Sequence, residues 1–238
     1  MAAEDPSQFL TRVEVINETQ HFDKDFSLNQ STLRMIVKIG KRFTTRVDIP
    51  FTYNSRKSPA GYSQFGLGDI SFRLLGYKIV ESKLTALTAS VEISLNTAAS
   101  PSIGTGKNIL IPMLTFSRLV PQHHLILGII AQQGFSMGGD ESRNDFNYTK
   151  LQPFAIHMWS RRIWSILAPE MFIDYIGDDV SLNLETRTGY APTPRFNIWL
   201  AGGVGLFGNF PGRYQWDLEL GTRYFLMRKK KPAPANIP

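Results

Sequence analysis

Long segments in which every second residue is apolar recur along this chain, and they constrain its fold more than any other feature. Residues 214–226 give the clearest example, in which the apolar set is Tyr214, Trp216, Leu218, Leu220, Tyr224 and Leu226. The positions between them carry Gln215, Asp217, Glu219 and Arg223. A period of two residues puts the two sets on opposite faces of a β-strand. The fold must therefore offer an apolar environment to one face and a polar environment to the other.

The same alternation predicts twelve strands and no helix. The predicted strands cover residues 8–22, 28–40, 42–54, 67–80, 83–97, 108–120, 123–137, 148–161, 163–176, 180–193, 196–208 and 213–226. Segments of about ten or more residues can cross a bilayer at a tilt, whereas strands of globular proteins usually have about five or six residues. The length of the predicted strands therefore favours a membrane-spanning barrel.

The connections between the predicted strands differ in length. Long polar stretches such as 98–107 and 138–147 alternate with short turns through the first eight strands. Outer-membrane barrels have short periplasmic turns and longer outer loops. An even number of strands also returns both ends of the chain to the periplasmic side.

The sequence thus predicts an all-β fold, a transmembrane antiparallel up-and-down β-barrel of about 12 strands, at residues 8–226. Residues 1–7 are expected to form an N-terminal extension, and residues 227–238 a basic, proline-rich tail. The alternative is a soluble ligand-binding barrel or sandwich, which would bury the apolar faces in a core and expose the charges to water. A sandwich of twelve such long strands would be unusual.

Composition excludes several other classes of protein. The chain has no cysteine, so it can hold neither a disulfide nor a thiolate metal site. Its formal charge is +6, but residues 228–231 of the tail supply four of those charges and leave +2, which does not indicate a nucleic-acid surface.

The start, MAAEDPSQ, lacks the basic and apolar regions of a signal peptide and resembles a mature chain after cleavage. We therefore expect an exported protein of the bacterial outer membrane.

The polar faces of the predicted strands carry charges of both signs. An Arg or Lys facing lipid at the bilayer midplane costs about 2–4 kcal/mol, so these faces must point into the barrel. The predicted pore-lining residues are Arg34, Arg46, Asp48, Asp69, Arg73, Glu92, Glu170, Asp174, Glu185, Arg187, Asp217, Glu219 and Arg223. Such a lumen is either a narrow hydrated conduit or an interior closed by paired charges.

Aromatic residues near the ends of the apolar faces predict girdles at the two membrane interfaces. The predicted girdle residues are Tyr53, Tyr190, Tyr214, Trp216 and Tyr224.

Catalytic, cofactor and metal sites are not predicted. Residues 203–208 have the glycine spacing of a dinucleotide fingerprint, but a turn and a strand follow where that motif requires a helix. His123 and His124 are neighbours and would point in different directions. His157 is expected to face outward beside Trp159 and Ser160. It is the one histidine worth weighing for the alternative of a lipid-modifying barrel enzyme.

Two motifs resemble a known family. Residues 65–77 read FGLGDISFRLLGY and residues 95–108 read LNTAASPSIGTGKN. The elements Gly66-Leu67-Gly68-Asp69 and Gly104-Thr105-Gly106-Lys107 resemble those of the outer-membrane family described as phenol-degradation meta-pathway transporters. The family's Pro-Thr-Gly element is replaced here by Asn96, Thr97 and Ala98. The resemblance implies a barrel through which small aromatic or apolar compounds pass.

Together, these features predict a monomeric outer-membrane channel or facilitated transporter for small molecules with a narrow, charged lumen. The expected partners are outer-membrane lipid, the barrel-assembly machinery and a small-molecule solute, with no nucleic acid. Barrel proteins commonly end in an aromatic residue recognised during assembly, and we expect Phe225 to lie near the end of the last strand.

Overall fold

The regular secondary structure of the described residues consists of thirteen strands and one 3-10 turn. The computed structural model describes residues 5–57, 61–208 and 214–226. The strands are β1 (Arg12–His21), β2 (Phe26–Ile39), β3 (Phe43–Arg56), β4 (Tyr62–Leu67), β5 (Ser71–Glu81), β6 (Thr85–Ser94), β7 (Lys107–Val120), β8 (Leu125–Gly139), β9 (Asn147–Met158), β10 (Ile163–Asp174), β11 (Asp179–Thr193), β12 (Phe196–Phe207) and β13 (Trp216–Phe225). The 3-10 turn (Pro121–His123) joins β7 to β8.

The strands form a closed antiparallel barrel. Strands that are neighbours in sequence pair in the sheet, except that β4 and β5 both pair with β3. The last strand, β13, pairs with β1 from Arg12 opposite Phe225 to His21 opposite Trp216. Closure leaves no long edge strand with unpaired backbone groups, which a bilayer could not hydrate. The predicted up-and-down barrel is confirmed, and β13 ends at Phe225 as expected.

The fourth strand position around the barrel is filled by two strands, β4 and β5, which lie end to end beside β3. Residues 51–56 of β3 pair with β4, and residues 43–48 pair with β5. The thirteen strands therefore form a barrel with twelve strand positions around its circumference. The predicted strand of residues 67–80 covers β5 up to residue 80 but only the last residue of β4, which begins at Tyr62. Ser63, Gln64 and Gly66 interrupt the apolar alternation of β4, so only its pairing with β3 reveals it.

The apolar and charged faces are distributed inside out relative to a soluble protein. Large apolar side chains lie exposed on the outer face, among them Leu200 (56% exposed) and Leu220 (57%). Charged side chains such as Glu14, Asp48 and Glu92 are buried inside. A soluble barrel or sandwich requires the opposite arrangement. The outer face of this barrel therefore has the chemistry of a lipid-facing surface.

The two ends of the barrel differ in their connections. The end that holds the start of β1 and the end of β13, the turn end, has connections of three, three, four, four and two residues. The opposite end, the loop end, has connections of four, five, twelve, seven, four and eight residues. All connections of five or more residues lie at the loop end, which confirms the predicted asymmetry. The β1–β2 and β10–β11 connections are exceptions, since they have four residues, as do two of the turns.

No helix in the described residues has the length and hydropathy needed to span a membrane.

Substituting arginine on the outer face tests the assignment of the two faces. Leu220, in the middle of β13, is 57% exposed on that face, so Leu220→Arg should destabilise the inserted barrel by about 2–4 kcal/mol. Gln152 lies on the inner face of β9 and donates to Glu170 over 2.7 Å, so Gln152→Arg should be tolerated. Urea unfolding in lipid vesicles, followed by heat-modifiable gel mobility, measures both. The reverse order of sensitivity would invert the assignment.

Candidate functional site: the barrel interior

A cavity of about 580 Å³ lies inside the barrel. Inner-face side chains from every strand except β4 line it, and charged and polar groups dominate the lining. This composition follows directly from the alternation, because each strand that shows apolar residues to the outside must turn its other face inward.

One side of the interior holds a continuous network of ion pairs that begins at Glu14. This carboxylate on β1 pairs with Arg223 at 2.6 Å, with Arg12 at 2.7 Å and with Arg34 at 3.6 Å. Arg34 in turn donates two hydrogen bonds to Asp48 on β3, at 2.8 and 2.9 Å. A bidentate pair of this kind fixes the position of the guanidinium as well as balancing its charge.

The network continues along the inner face to β5 and β6. Arg46 lies 3.3 Å from Asp48 and 2.5 Å from Glu92, and Arg73 lies 3.7 Å from Glu92. We call the whole set the arginine arc, which comprises Arg12, Glu14, Arg34, Arg46, Asp48, Arg73, Glu92 and Arg223. Five cations and three carboxylates give this arc a formal charge of +2.

Carboxylates dominate the other side of the interior. Lys150 pairs with Glu170, and Arg187 lies 3.0 Å from Glu219. Tyr214 donates its hydroxyl to Glu185 at 2.9 Å. The carboxylate arc comprises Glu18, Lys150, Glu170, Glu185, Arg187, Asp217 and Glu219. Two cations and five carboxylates give it a formal charge of −3.

The two arcs cover opposite halves of the barrel wall and meet on β13 and β1. The arginine arc runs from β13 through β1, β2, β3 and β5 to β6, whereas the carboxylate arc runs from β9 to β13 and β1. The sector between them on β7 and β8 is uncharged, with Met113, Thr115, Ile130 and Gln132 on the cavity wall. Opposite charges on facing walls of low dielectric produce a field across the cavity rather than along it.

Aromatic rings interrupt the charged lining. Trp199 is 2% exposed, and the guanidinium groups of Arg187 and Arg223 lie 5.5 and 5.0 Å from its ring centre. Gly221 faces Trp199 across the β12–β13 pair, and a Cβ there would lie 2.0 Å from the ring. A glycine at an inner position opposite a tryptophan is the sequence signal that could have identified this interior ring.

The chain before β1 lies inside the barrel near the turn end. Asp5, Ser7 and Phe9 are buried, and the Asp5 carboxylate accepts a hydrogen bond of 3.1 Å from Ser117 on β7. Ser7 and Ser117 share a further hydrogen bond of 2.9 Å. Lys78 on β5 lies 5.3 Å from the ring centre of Phe9. This segment narrows the interior, and β1 begins at Arg12 rather than at the predicted residue 8.

Asp69 joins the two family-like motifs at the loop end. Its Oδ1 atom accepts the backbone N–H groups of Thr97 and Ala98 at 3.2 and 3.1 Å. Its Oδ2 atom accepts the N–H and the hydroxyl of Thr105 at 2.6 and 2.8 Å. The loop held in this way covers residues 95–106, and its Ile103 is only 5% exposed. The carbonyl of Ser102 in the same loop accepts a hydrogen bond from Asn54 on the inner face of β3. Asp69 is therefore a loop anchor, and its assignment to the pore lining is wrong.

Most of the other predicted lining residues do lie at the cavity. Those on its wall are Arg34, Arg46, Arg73, Glu92, Glu170, Glu185, Arg187, Glu219 and Arg223. Asp48 and Asp217 are buried at 7% exposure on the inner face, behind this wall. Asp174 ends β10 and accepts the Ile176 N–H at 3.0 Å, so it belongs to a loop-end turn. That these residues line a route for solutes stays a prediction.

Four of the five predicted girdle residues are exposed on the outer face: Tyr53 (43%) and Trp216 (45%) toward the loop end, Tyr190 (41%) and Tyr224 (46%) toward the turn end. Tyr214 was assigned wrongly, since it is 2% exposed and bonded to Glu185 inside. It precedes β13, so the alternation of that strand does not extend to it.

His157 lies on the outward parity of β9, where its ring packs edge-on against Trp159 with 4.2 Å between the centres. In the described ranges, no group of three His, Cys, Asp or Glu side chains could hold a metal ion.

Comparisons with known proteins show the fold. No family model and no curated protein matches the sequence. The COG4313 outer membrane channel from Pseudomonas putida F1 is similar in structure, with a TM-score of 0.76 and 11% identity over 95% of this chain and 99% of that one. KdgM porin gives a TM-score of 0.64 and 8% identity, and NanC porin 0.62 and 9%, each over 90% of this chain and 98% of the other. The fold is therefore that of outer-membrane β-barrels.

Removing the Asp69 carboxylate should release the loop of residues 95–106. Hydrogen bonds to a charged acceptor contribute roughly 1.5–3 kcal/mol each, and Asp69→Ala removes the acceptor of four. We expect cleavage within 95–106 by a protease of broad specificity to become at least several-fold faster, while the barrel stays folded. Fragment masses locate the cut.

Asp140→Ala is the matched control. Asp140 is an exposed acid of the neighbouring loop that accepts hydrogen bonds from Ser142. Equal cleavage rates in the two variants would show that Asp69 does not hold the loop.

Proposed function

We propose that this protein is an outer-membrane channel for small molecules. The observation that carries the proposal is the polar cavity of about 580 Å³ inside a barrel whose outer face is apolar. Channels and porins among the structural neighbours support it. We further propose that the chain acts as a monomer in the bacterial outer membrane and is inserted by the barrel-assembly machinery. The predicted tail, residues 227–238, lies outside the described residues.

A narrow route is part of the proposal. The N-terminal segment fills part of the interior near the turn end, and the loop anchored by Asp69 folds inward at the loop end. A barrel with twelve strand positions also encloses less space than the barrels of general porins, which have sixteen or more strands. These features favour small solutes, because a large solute would have to displace packed chain at both ends.

The lining suggests the chemistry of the solute. The resemblance to the phenol-degradation family predicts aromatic or apolar compounds, but charged groups dominate the wall, and a hydrocarbon would have to displace their hydration. Rings of Phe154, Phe172 and Trp199 lie among these charges, and Lys150 lies 5.2 Å from the ring centre of Phe172. We propose that the solute is a small aromatic compound with a polar or charged substituent, which would contact both kinds of surface.

A lipid-modifying enzyme is the rival proposal, and the described residues offer no observation in its favour. His157, the one histidine weighed for it, packs against Trp159 on the outer face. Trp159 donates its Nε1 proton to Ser165 at 3.0 Å, which is a structural use of that hydroxyl.

Removing two arginines from the arginine arc should widen the route and change its selectivity. Arg46→Ser with Arg73→Ser takes away two guanidinium groups on the cavity wall and leaves Asp48 and Glu92 less compensated. In planar bilayers we expect a small, weakly selective conductance for the wild type. The double variant should conduct more and favour cations. A shift of the reversal potential in a salt gradient measures that preference.

The double variant with lysine at positions 46 and 73 is the control, because it keeps the charge. It should retain the wild-type selectivity. If neither the wild type nor the serine variant conducts above a protein-free bilayer, the interior is closed by its ion pairs and the channel proposal fails.

Uptake of two matched acids tests the proposed solute. Benzoate and cyclohexanecarboxylate have similar size and charge, and only benzoate presents an aromatic ring to Trp199, Arg187 and Arg223. Stacking and cation–π contacts of about 0.5–1.5 kcal/mol should make uptake of benzoate into protein-containing vesicles several-fold faster. Trp199→Leu should remove the difference. Equal uptake of the two acids by the wild type would contradict an aromatic preference.

A further inference from the structure

The turn end of the barrel carries a ring of exposed cations. Its members lie in or beside all five turns and are Lys38, Lys41, Arg42, Lys83, Arg118, Arg161, Arg162 and Arg195. The exposed acid at this end of the described chain is Glu81, and it pairs with Lys78. Eight exposed cations and one acid give the turn end a formal charge of +7.

Within the described ranges, the ring cations have no carboxylate close enough for an ion pair, and the exposed charges at the opposite end are mixed in sign. Among the described residues, none of the eight lies within 4.0 Å of a carboxylate oxygen. The exposed charged side chains at the loop end of the described chain are five acids and three bases, a formal −2: Asp23, Lys24, Arg56, Lys57, Asp140, Glu141, Asp145 and Asp178. The positive charge is thus concentrated at one end.

The ring borders the apolar outer face. Ile39 (53% exposed) and Phe43 (40%) flank the turn that holds Lys41 and Arg42. Ile163 (42%) follows Arg162, and Trp159 (66%) is the first residue of the same turn. Cations that adjoin such residues lie at the level of lipid headgroups, where their stems cover apolar surface and their charges reach water and phosphate.

We propose that this ring binds the headgroups of anionic phospholipids in the leaflet at the turn end. The inference rests on the proposed membrane location, which makes that leaflet the periplasmic one. The turns of two to four residues do not project far from the bilayer, so the cations are placed for lipid rather than for the cell-wall polymer beyond it. A phosphodiester headgroup with a net negative charge supplies the partner that the ring lacks.

Lipid retention measures this binding. The protein is inserted into vesicles of phosphatidylcholine with a minor fraction of phosphatidylglycerol, extracted in mild detergent, and its bound lipids are counted by native mass spectrometry. We expect phosphatidylglycerol to be retained several-fold above its share of the vesicle. The excess should fall when extraction is done in high salt, and inorganic phosphate at equal ionic strength should reduce it no further.

Two triple variants provide the comparison. Lys41→Gln, Arg162→Gln and Arg195→Gln remove one cation from each of three turns, and should abolish most of the excess. Lys24→Gln, Arg56→Gln and Lys57→Gln remove three exposed cations of the loop end, and should leave it unchanged.

Three results would overturn the inference. Retention of phosphatidylglycerol in proportion to its share refutes the ring as a lipid site but leaves the channel proposal standing. Equal loss in the two triple variants refutes the assignment to the turn end, as does a stronger affinity of the ring for soluble peptidoglycan fragments than for lipid. Failure to insert into vesicles of either composition removes the membrane location, and the channel proposal with it.

Discussion

Exclusion of charge from lipid is the constraint on which the rest of this structure depends. A bilayer accepts neither unpaired backbone groups nor exposed ions, so the strands must close and turn their charged faces inward. Closure is provided by the β13–β1 pairing, and the inward charges then need partners of their own. Glu14 meets that need most fully, since three guanidinium groups surround it where the first and last strands join. The ion pairs that fill the interior are thus a consequence of the membrane outside.

For the proposed channel, the same ion pairs decide how much of the interior is open to solutes. A buried ion pair gains little net free energy, but loss of one partner leaves a costly unpaired charge, so the network resists rearrangement. The N-terminal segment and the loop anchored by Asp69 add packed chain at the two ends. A rigid and narrow interior with unlike charges on its two sides favours solutes that are small and can orient. Selectivity would then arise from the field across the route and from ring faces such as that of Trp199.

The exposed charges differ between the two ends of the barrel, along its axis, whereas the interior charges differ from one side of the lumen to the other. Among the described residues, the exposed side chains of the turn end carry a formal +7 and those of the loop end −2. Neither value can be inferred from the net charge of the whole chain, in which they partly cancel. The segregation depends on which turns share an end, and alternation of strand direction places every second connection on the same side. In the proposed membrane placement, the short turns hold their cations at the height of the lipid headgroups.

The sequence by itself determined the fold class, the direction of most faces and the difference between the two ends, because period-two alternation and loop length are local properties of the chain. For the same reason it identified nine of the residues on the cavity wall. It failed where a contact between distant segments decides the outcome. Pairing with β3 makes a strand of Tyr62–Leu67, Tyr214 lies inside the barrel bonded to Glu185, and Asp69 binds a loop roughly thirty residues away. These outcomes depend on closure of the barrel, and no local pattern encodes a partner that only closure brings near.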